Sequence, residues 1–160
     1  MKVAIAYAGK TGTTEKCAKL LAKSMPNASL IDLNKVNLNF KKFDLIILGS
    51  SIRMGVIHPK VRELITNNME EIKKKKIAMY ICSGMQDKDN NYYINNISKD
   101  LLKQFIAHEN FGGEVDMSKQ KGLDKFIIKM IVRKNKDILD IKINEKKIKD
   151  FAIQMNTVTK

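Results

Sequence analysis

The opening of the chain, "VAIAYAGKTGTTEKCAKLLAKSM", leaves a narrow choice of folds. Residues 3–7 are an unbroken apolar run, the pattern of a strand buried on both faces. The run gives way at once to Gly9-Lys10-Thr11-Gly12-Thr13-Thr14. Ala18, Leu21, Ala22 and Met25 then recur at helical spacing, so a helix is expected over residues 13–25. A buried strand, a short turn and an immediate helix are the start of a βαβ unit, which implies a parallel sheet with helices on its faces. Small and hydroxylated residues at such a turn suit an anion on the free N–H groups of the helix N-terminus.

The remainder continues the alternation. Strands are expected over residues 29–33, 44–49 ("DLIILG") and 77–82, with Pro26-Asn27 closing the first helix and a polar connection over residues 34–42. Pro59 fits the first turn of a helix running to about residue 68, with Val61, Leu64 and Ile65 inward. The basic run 73–76 reads as a solvated loop. Residues 94–107 read as a helix carrying Ile97, Leu101, Leu102 and Phe105 inward, and residues 111–116 as a fifth strand despite Gly112-Gly113. The expected architecture is one α/β domain over residues 1–160, an open doubly wound five-stranded parallel sheet.

Composition excludes some classes and leaves others open. Hydrophobic residues make up 44% and charged residues 29%, ordinary values for a globular protein, and no apolar run is long enough to span a bilayer. Cys17 and Cys82 have no metal-type spacing and read as free thiols, so no metal is expected and a cytoplasmic setting is the default. The net charge of +13 is almost all lysine, Arg53, Arg62 and Arg133 being the arginines. A polyanionic partner or membrane surface explains that charge, and so does the lysine bias of an AT-rich genome. Neither GxGxxG nor a Walker A motif is present, and Gly49-Ser50 stand where a receiver domain needs an acid. No motif for specific nucleic-acid recognition accompanies the lysines.

In sheets of this kind ligands bind beyond the carboxyl ends of the strands. Three loops leave those ends: "AGKTGTT" at residues 8–14, "GSSIRMG" at 49–55 and "SGMQDKDNNYY" at 83–93. Together they resemble the flavodoxin superfamily, which implies strand order 2-1-3-4-5 and flavin mononucleotide (FMN) as cofactor. The first loop resembles the family's phosphate loop, [ST]-x-T-G-x-T, with Gly9 in place of the first hydroxyl residue. The resemblance implies that Gly9, Lys10, Thr11, Gly12, Thr13 and Thr14 hold the phosphate. It likewise sets Ser50, Ser51, Ile52, Arg53, Met54 and Gly55 along the flavin ring, with Met54 on one face and Gly55 tolerating a reoriented peptide. Ser83 and Gly84 belong to the third loop, where Tyr92 or Tyr93 could stack on the other face.

"GSSIRMGVIHPKVRELI", "FGGEVDMSK" and "GLDKFIIKMIVRKNKD" further resemble the flavodoxin-domain, menaquinone-linked protoporphyrinogen oxidases. That implies an FMN-dependent oxidoreductase working with a quinone, and an insertion near the fifth strand at about residues 117–137. A flavodoxin-type electron carrier is the alternative, although such carriers resemble acidic proteins. His58 and Arg53 are the catalytic candidates: an imidazole titrates near neutrality, and a guanidinium could meet substrate carboxylates. His108 reads as a surface residue. On a helical wheel Lys125, Lys129, Arg133 and Lys136 form one basic stripe in an otherwise apolar insertion. Such a helix packs on the sheet, pairs with a second subunit, or lies on the inner face of a membrane as a peripheral contact.

Overall fold

Strands that are apolar on both faces need neighbours on both sides and helices above and below. β1 (Val3–Ala8) is buried along its whole length. β3 (Leu45–Arg53) and β5 (Lys76–Cys82) are buried over their apolar stretches. β2 (Ala28–Asp32) and β6 (Phe105–Asn110) form the edges of a sheet ordered β2-β1-β3-β5-β6, parallel throughout that path. A two-residue β4 (Val56–Ile57) folds back antiparallel on the end of β3. The computed structural model, which describes residues 1–84, 91–119, 121–134, 136 and 141–159, therefore has the expected parallel α/β sheet. Its five parallel strands follow the expected order.

Alternate residues of each strand serve opposite layers. α1 (Thr13–Lys23) and α7 (Glu145–Thr159) pack on the face carrying Ile5, Tyr7, Ile47 and Tyr80. α2 (Pro59–Asn67), α3 (Met69–Lys73), α4 (Asn91–Asn96) and α5 (Lys99–Leu102) cover the face carrying Ala6, Ile46, Leu48 and Met79. Helices on both faces leave the carboxyl ends of β1, β3 and β5 as one open edge, where the three loops meet.

The structure corrects the sequence reading past residue 94. The long helix expected over residues 94–107 is broken at Ser98, whose Oγ accepts from the Leu101 N–H at 3.4 Å and caps α5. Phe105 then enters β6 and pairs beside β5. The fifth strand thus precedes the segment expected to form it. Gly112 and Gly113 mark where the chain leaves the sheet. Gly112 adopts φ +77, and a Cβ there would lie 2.6 Å from the Lys142 carbonyl. At Gly113 a Cβ would lie 2.8 Å from the Gly84 nitrogen. The run 73–76 is likewise divided, Lys73 closing α3 and Lys76 opening β5.

Gly112 forms an antiparallel bridge to Ile143, and the Asn144 N–H donates to the Phe111 carbonyl at 2.8 Å. The insertion therefore leaves and rejoins the body at one point. It carries α6 (Gly122–Lys134). Residues 120, 135 and 137 of the expected insertion lie outside the described residues. After Asn144, α7 extends the chain with Ile148, Phe151, Ala152 and Met155 buried. Among the described residues, no helix is long and apolar enough to cross a membrane.

Candidate functional site: an anion cradle at the sheet edge

Gly12 sits at the N-cap of α1 with φ +87, a left-handed geometry that glycine adopts without strain. No side chain caps this helix, so its first-turn N–H groups open toward the loop. At Gly9 a Cβ would fall 2.6 Å from Thr14 Oγ1 and 2.9 Å from Thr14 Cβ. The hydroxyl of Thr14 thus occupies the room that a side chain at position 9 would need. Asn34 Nδ2 donates to the Gly9 carbonyl at 3.3 Å and ties the loop to the segment after β2.

Two hydroxyls in this edge are orphans. Thr14 is 1% exposed, and its Oγ1 has no hydrogen-bond partner. Ser51 Oγ is equally buried and unpartnered. A buried hydroxyl without a partner costs about 1–3 kcal/mol, so two in one place indicate a missing group. Both residues line a single pocket with Lys10, Thr11, Thr13, Ile52 and Arg53. Beneath it, the adjacent Cys17 thiol and burial push the Cys82 thiol well above its ordinary pKa, with Thr14 as the smaller opposing influence; by hydrogen-bond geometry Thr14 Oγ1 has no partner. Cys82 is therefore a neutral floor to the pocket rather than a nucleophile.

The cradle is held from behind. Tyr80, fully buried, donates its hydroxyl to the Thr14 carbonyl at 3.1 Å. Its ring stacks on Phe111 at 4.7 Å, and Phe111 meets Phe151 edge-on at 5.4 Å. Gly49 makes this possible, because a Cβ there would lie 2.2 Å from the Tyr80 ring. An aromatic chain thus runs from α7 to the first turn of α1.

The second loop is a tight hairpin. Arg53 pairs with Val56, and Met54 (φ 50) and Gly55 (φ 78) are the two turn residues, both left-handed as a type I′ turn requires. Met54 is 88% exposed at the tip, outside the pocket lining, and not packed on a ring-sized cavity wall. Gly55 is beside it and also outside the lining. Asn96, which the sequence reading passed over, secures this hairpin: its Oδ1 accepts from the Ile57 N–H at 3.0 Å, and its Nδ2 donates to the Gly55 and Tyr92 carbonyls, each at 2.8 Å. Ser50 is fully buried and already engaged, donating to the Ser51 carbonyl at 3.0 Å and accepting from the His58 N–H at 2.9 Å. Its hydroxyl builds the loop rather than facing the pocket.

His58 is the N-cap of α2, its Nδ1 accepting from the Lys60 N–H at 3.3 Å. Burial, followed by the charges of Lys10 and Arg53, holds its pKa below the usual value. Those same charges give the pocket a positive potential suited to an anion.

Of the third loop, Gly84 lines the pocket, Ser83 is buried next to it, and residues 85–90 lie outside the described residues. Tyr92 is half-buried against the core. Tyr93 is a core residue, its hydroxyl donating to the carbonyls of Glu109 at 2.6 Å and Met79 at 3.2 Å. His108 is no simple surface residue: its ring lies 4.5 Å from that of Tyr93, and its Nδ1 is buried without a partner. The pocket gains Gly113, Glu114 and Val115 from the segment after β6 and Ile128 from α6, none of them expected from sequence. Glu114 is paired with Lys16 at 2.6 Å. Among the described residues, no group of three or more His, Cys, Asp or Glu side chains could hold a metal ion.

An open α/β sheet with an anion cradle at the switch point defines a class of nucleotide-binding domains. Residues 4–141 match the flavodoxin domain model, and the chain belongs to that family. Its fold is similar to that of oxidised flavodoxin 1 from Bacillus cereus, with a TM-score of 0.62 at 12% identity over 98% of each chain. A Lactobacillus acidophilus flavoprotein solved in complex with FMN gives 0.54 at 15% identity, over 68% of this chain and 92% of the other. The flavodiiron core of a Synechocystis protein gives 0.59 at 14% identity, over 99% of this chain and 36% of the other. No curated protein sequence matches the chain. The residues present fit FMN: a phosphate would meet the open helix start, Lys10 and the orphan hydroxyls of Thr14 and Ser51.

Proposed function

We propose that this protein is an FMN-dependent oxidoreductase that dehydrogenates a reduced, carboxylate-bearing substrate and delivers the electrons to a quinone. The reading rests on one observation. The pocket that carries the orphan hydroxyls is walled on its other side by Val115, just before the insertion, and by Ile128 within it. When bound, FMN supplies the two-electron chemistry. The chain's own contribution is placement: Thr11, Thr13, Thr14 and the start of α1 would hold the phosphate, and Ile52 would pack against the ring. Arg53, on the pocket lining, offers a guanidinium to substrate carboxylates. The sequence resemblance to menaquinone-linked protoporphyrinogen oxidases names a candidate pair of substrates. In that reaction the reduced porphyrinogen loses electrons and protons, and the quinone takes up both.

The test is anaerobic and separates the halves. FMN-loaded protein should bleach on adding protoporphyrinogen IX and recover its colour with a soluble menaquinone analogue. If neither half-reaction proceeds while FMN stays bound, the enzyme reading is wrong. A carrier role is then favoured, in keeping with the exposed Met54 at the hairpin tip next to pocket residues Ile52 and Arg53.

A further inference from the structure

We infer that α6 is a lipid-docking helix that seats the pocket against an anionic bilayer surface. The helix has three faces at about 100° per residue. Ile128 and Val132, one turn apart, are half-buried toward the body, and Ile128 lines the pocket. Lys125, Lys129 and Arg133 run beside them as an exposed basic stripe. The outward arc carries Phe126, Met130, Leu123, Ile127 and Ile131. All five are exposed, Leu123 at 79% and Phe126 at 62%. A water-facing helix of a globular domain presents polar residues on its outer face. Here the apolar residues face out, interrupted by Lys134 only at the last turn, and the stripe flanks them, the pattern of a helix lying in a headgroup layer.

The occupant follows from charge and area. The arc belongs to a single helix and offers on the order of a few hundred Å², well short of the roughly 800 Å² per partner that a stable protein interface buries. A second copy would also bring another net charge of +13 against this one. An anionic bilayer answers both points: it takes five apolar side chains without needing a complementary shape, and its phosphates match the stripe. Because Ile128 stands on the pocket wall, docking would place the pocket within about one helix diameter, roughly 10 Å, of the lipid. None of this depends on which cofactor the pocket holds.

The test uses the full chain with FMN added, sedimented with vesicles of phosphatidylcholine plus phosphatidylglycerol and with vesicles of phosphatidylcholine alone. Binding should be confined to the anionic vesicles and should weaken as salt rises. Phe126→Ser with Met130→Ser should lower the partition coefficient about tenfold per residue. Lys125→Gln with Lys129→Gln should lower it about fivefold per residue. All four side chains are exposed, so FMN retention and the melting temperature should stay unchanged and serve as the folding control. Absence of binding to anionic vesicles overturns the inference. So does binding that ignores the Phe126 and Met130 replacements, which would reflect the lysine surface at large. A dimer that dissolves on those same replacements, with no vesicle binding, would assign the arc to a second copy instead.

Discussion

At the scale of single residues, the site is a contest over one small volume. Gly9 lacks the hydroxyl that the flavodoxin pattern carries, yet the structure shows Thr14 Oγ1 filling the space that a Cβ at position 9 would claim. Thr14 is the last threonine of that same pattern, and without a bound group its hydroxyl is unsatisfied. Thr14→Val removes it while keeping the branched shape. FMN affinity should then fall about 10- to 100-fold, the worth of a hydrogen bond to a charged group. Riboflavin, which has no phosphate, should bind the variant and the parent alike, and the melting temperature of the ligand-free protein should hold or rise. Titration by flavin fluorescence reads both affinities; an equal loss for riboflavin would mean that Thr14 is structural. His58 makes a prediction with a defined sign. Its folded pKa lies below the value of about 6.5 expected in the unfolded chain, through burial and the charges of Lys10 and Arg53. Between those two values the unfolded chain takes up a proton that the folded one does not. Stability therefore falls as pH drops from about 6.5 and levels off below the folded pKa. His58→Asn, which keeps a capping acceptor for the Lys60 N–H, should flatten denaturant midpoints across that window.

At the scale of elements, the hairpin between β3 and β4 depends on a residue from α4. Asn96→Ala removes its three hydrogen bonds and strands the Ile57 N–H. We expect a loss of about 1–3 kcal/mol and faster hydrogen exchange at the Ile57 amide, with the β1 amides unchanged. Uniform acceleration across the sheet would show that the hairpin is not an independent unit. Asn96 also shows where sequence reading stops. β1, β3, β5 and the first loop were legible because unbroken apolar runs and a Gly-Thr turn leave few alternatives. An asparagine reaching across 41 residues to a carbonyl leaves no local trace. Phe105 misled for another reason, since one aromatic satisfies a helical stripe and an edge strand equally. The break was nevertheless visible in Ser98, an N-cap residue inside the supposed helix. Gly112-Gly113 were likewise readable as points of close backbone approach rather than as weak strand positions.

At the scale of the whole molecule, the site is continuous with the layer that α1 and α7 form on one face of the sheet, so ligand binding should register as global stability. α1 supplies the cradle, Tyr80 fixes it to the sheet, and Phe111 and Phe151 carry the contact on to α7. A ligand that binds only the folded chain adds about 2.7 kcal/mol at one hundred times its dissociation constant. For a chain of 160 residues, each kcal/mol moves the melting temperature by roughly 2–4 °C. Saturating FMN should thus raise it by about 5–11 °C, and removing FMN by dialysis should return it to the lower value. Riboflavin at the same concentration should give a smaller rise, because it brings no phosphate to the helix start or to the two orphan hydroxyls. Inorganic phosphate alone should give a small rise that Thr14→Val abolishes. Differential scanning calorimetry on the same preparation reads all of these. Equal shifts from FMN and riboflavin would show that the loop between β1 and α1 contributes nothing to binding, and the pocket's affinity would then lie in the ring contacts of Ile52 and the insertion.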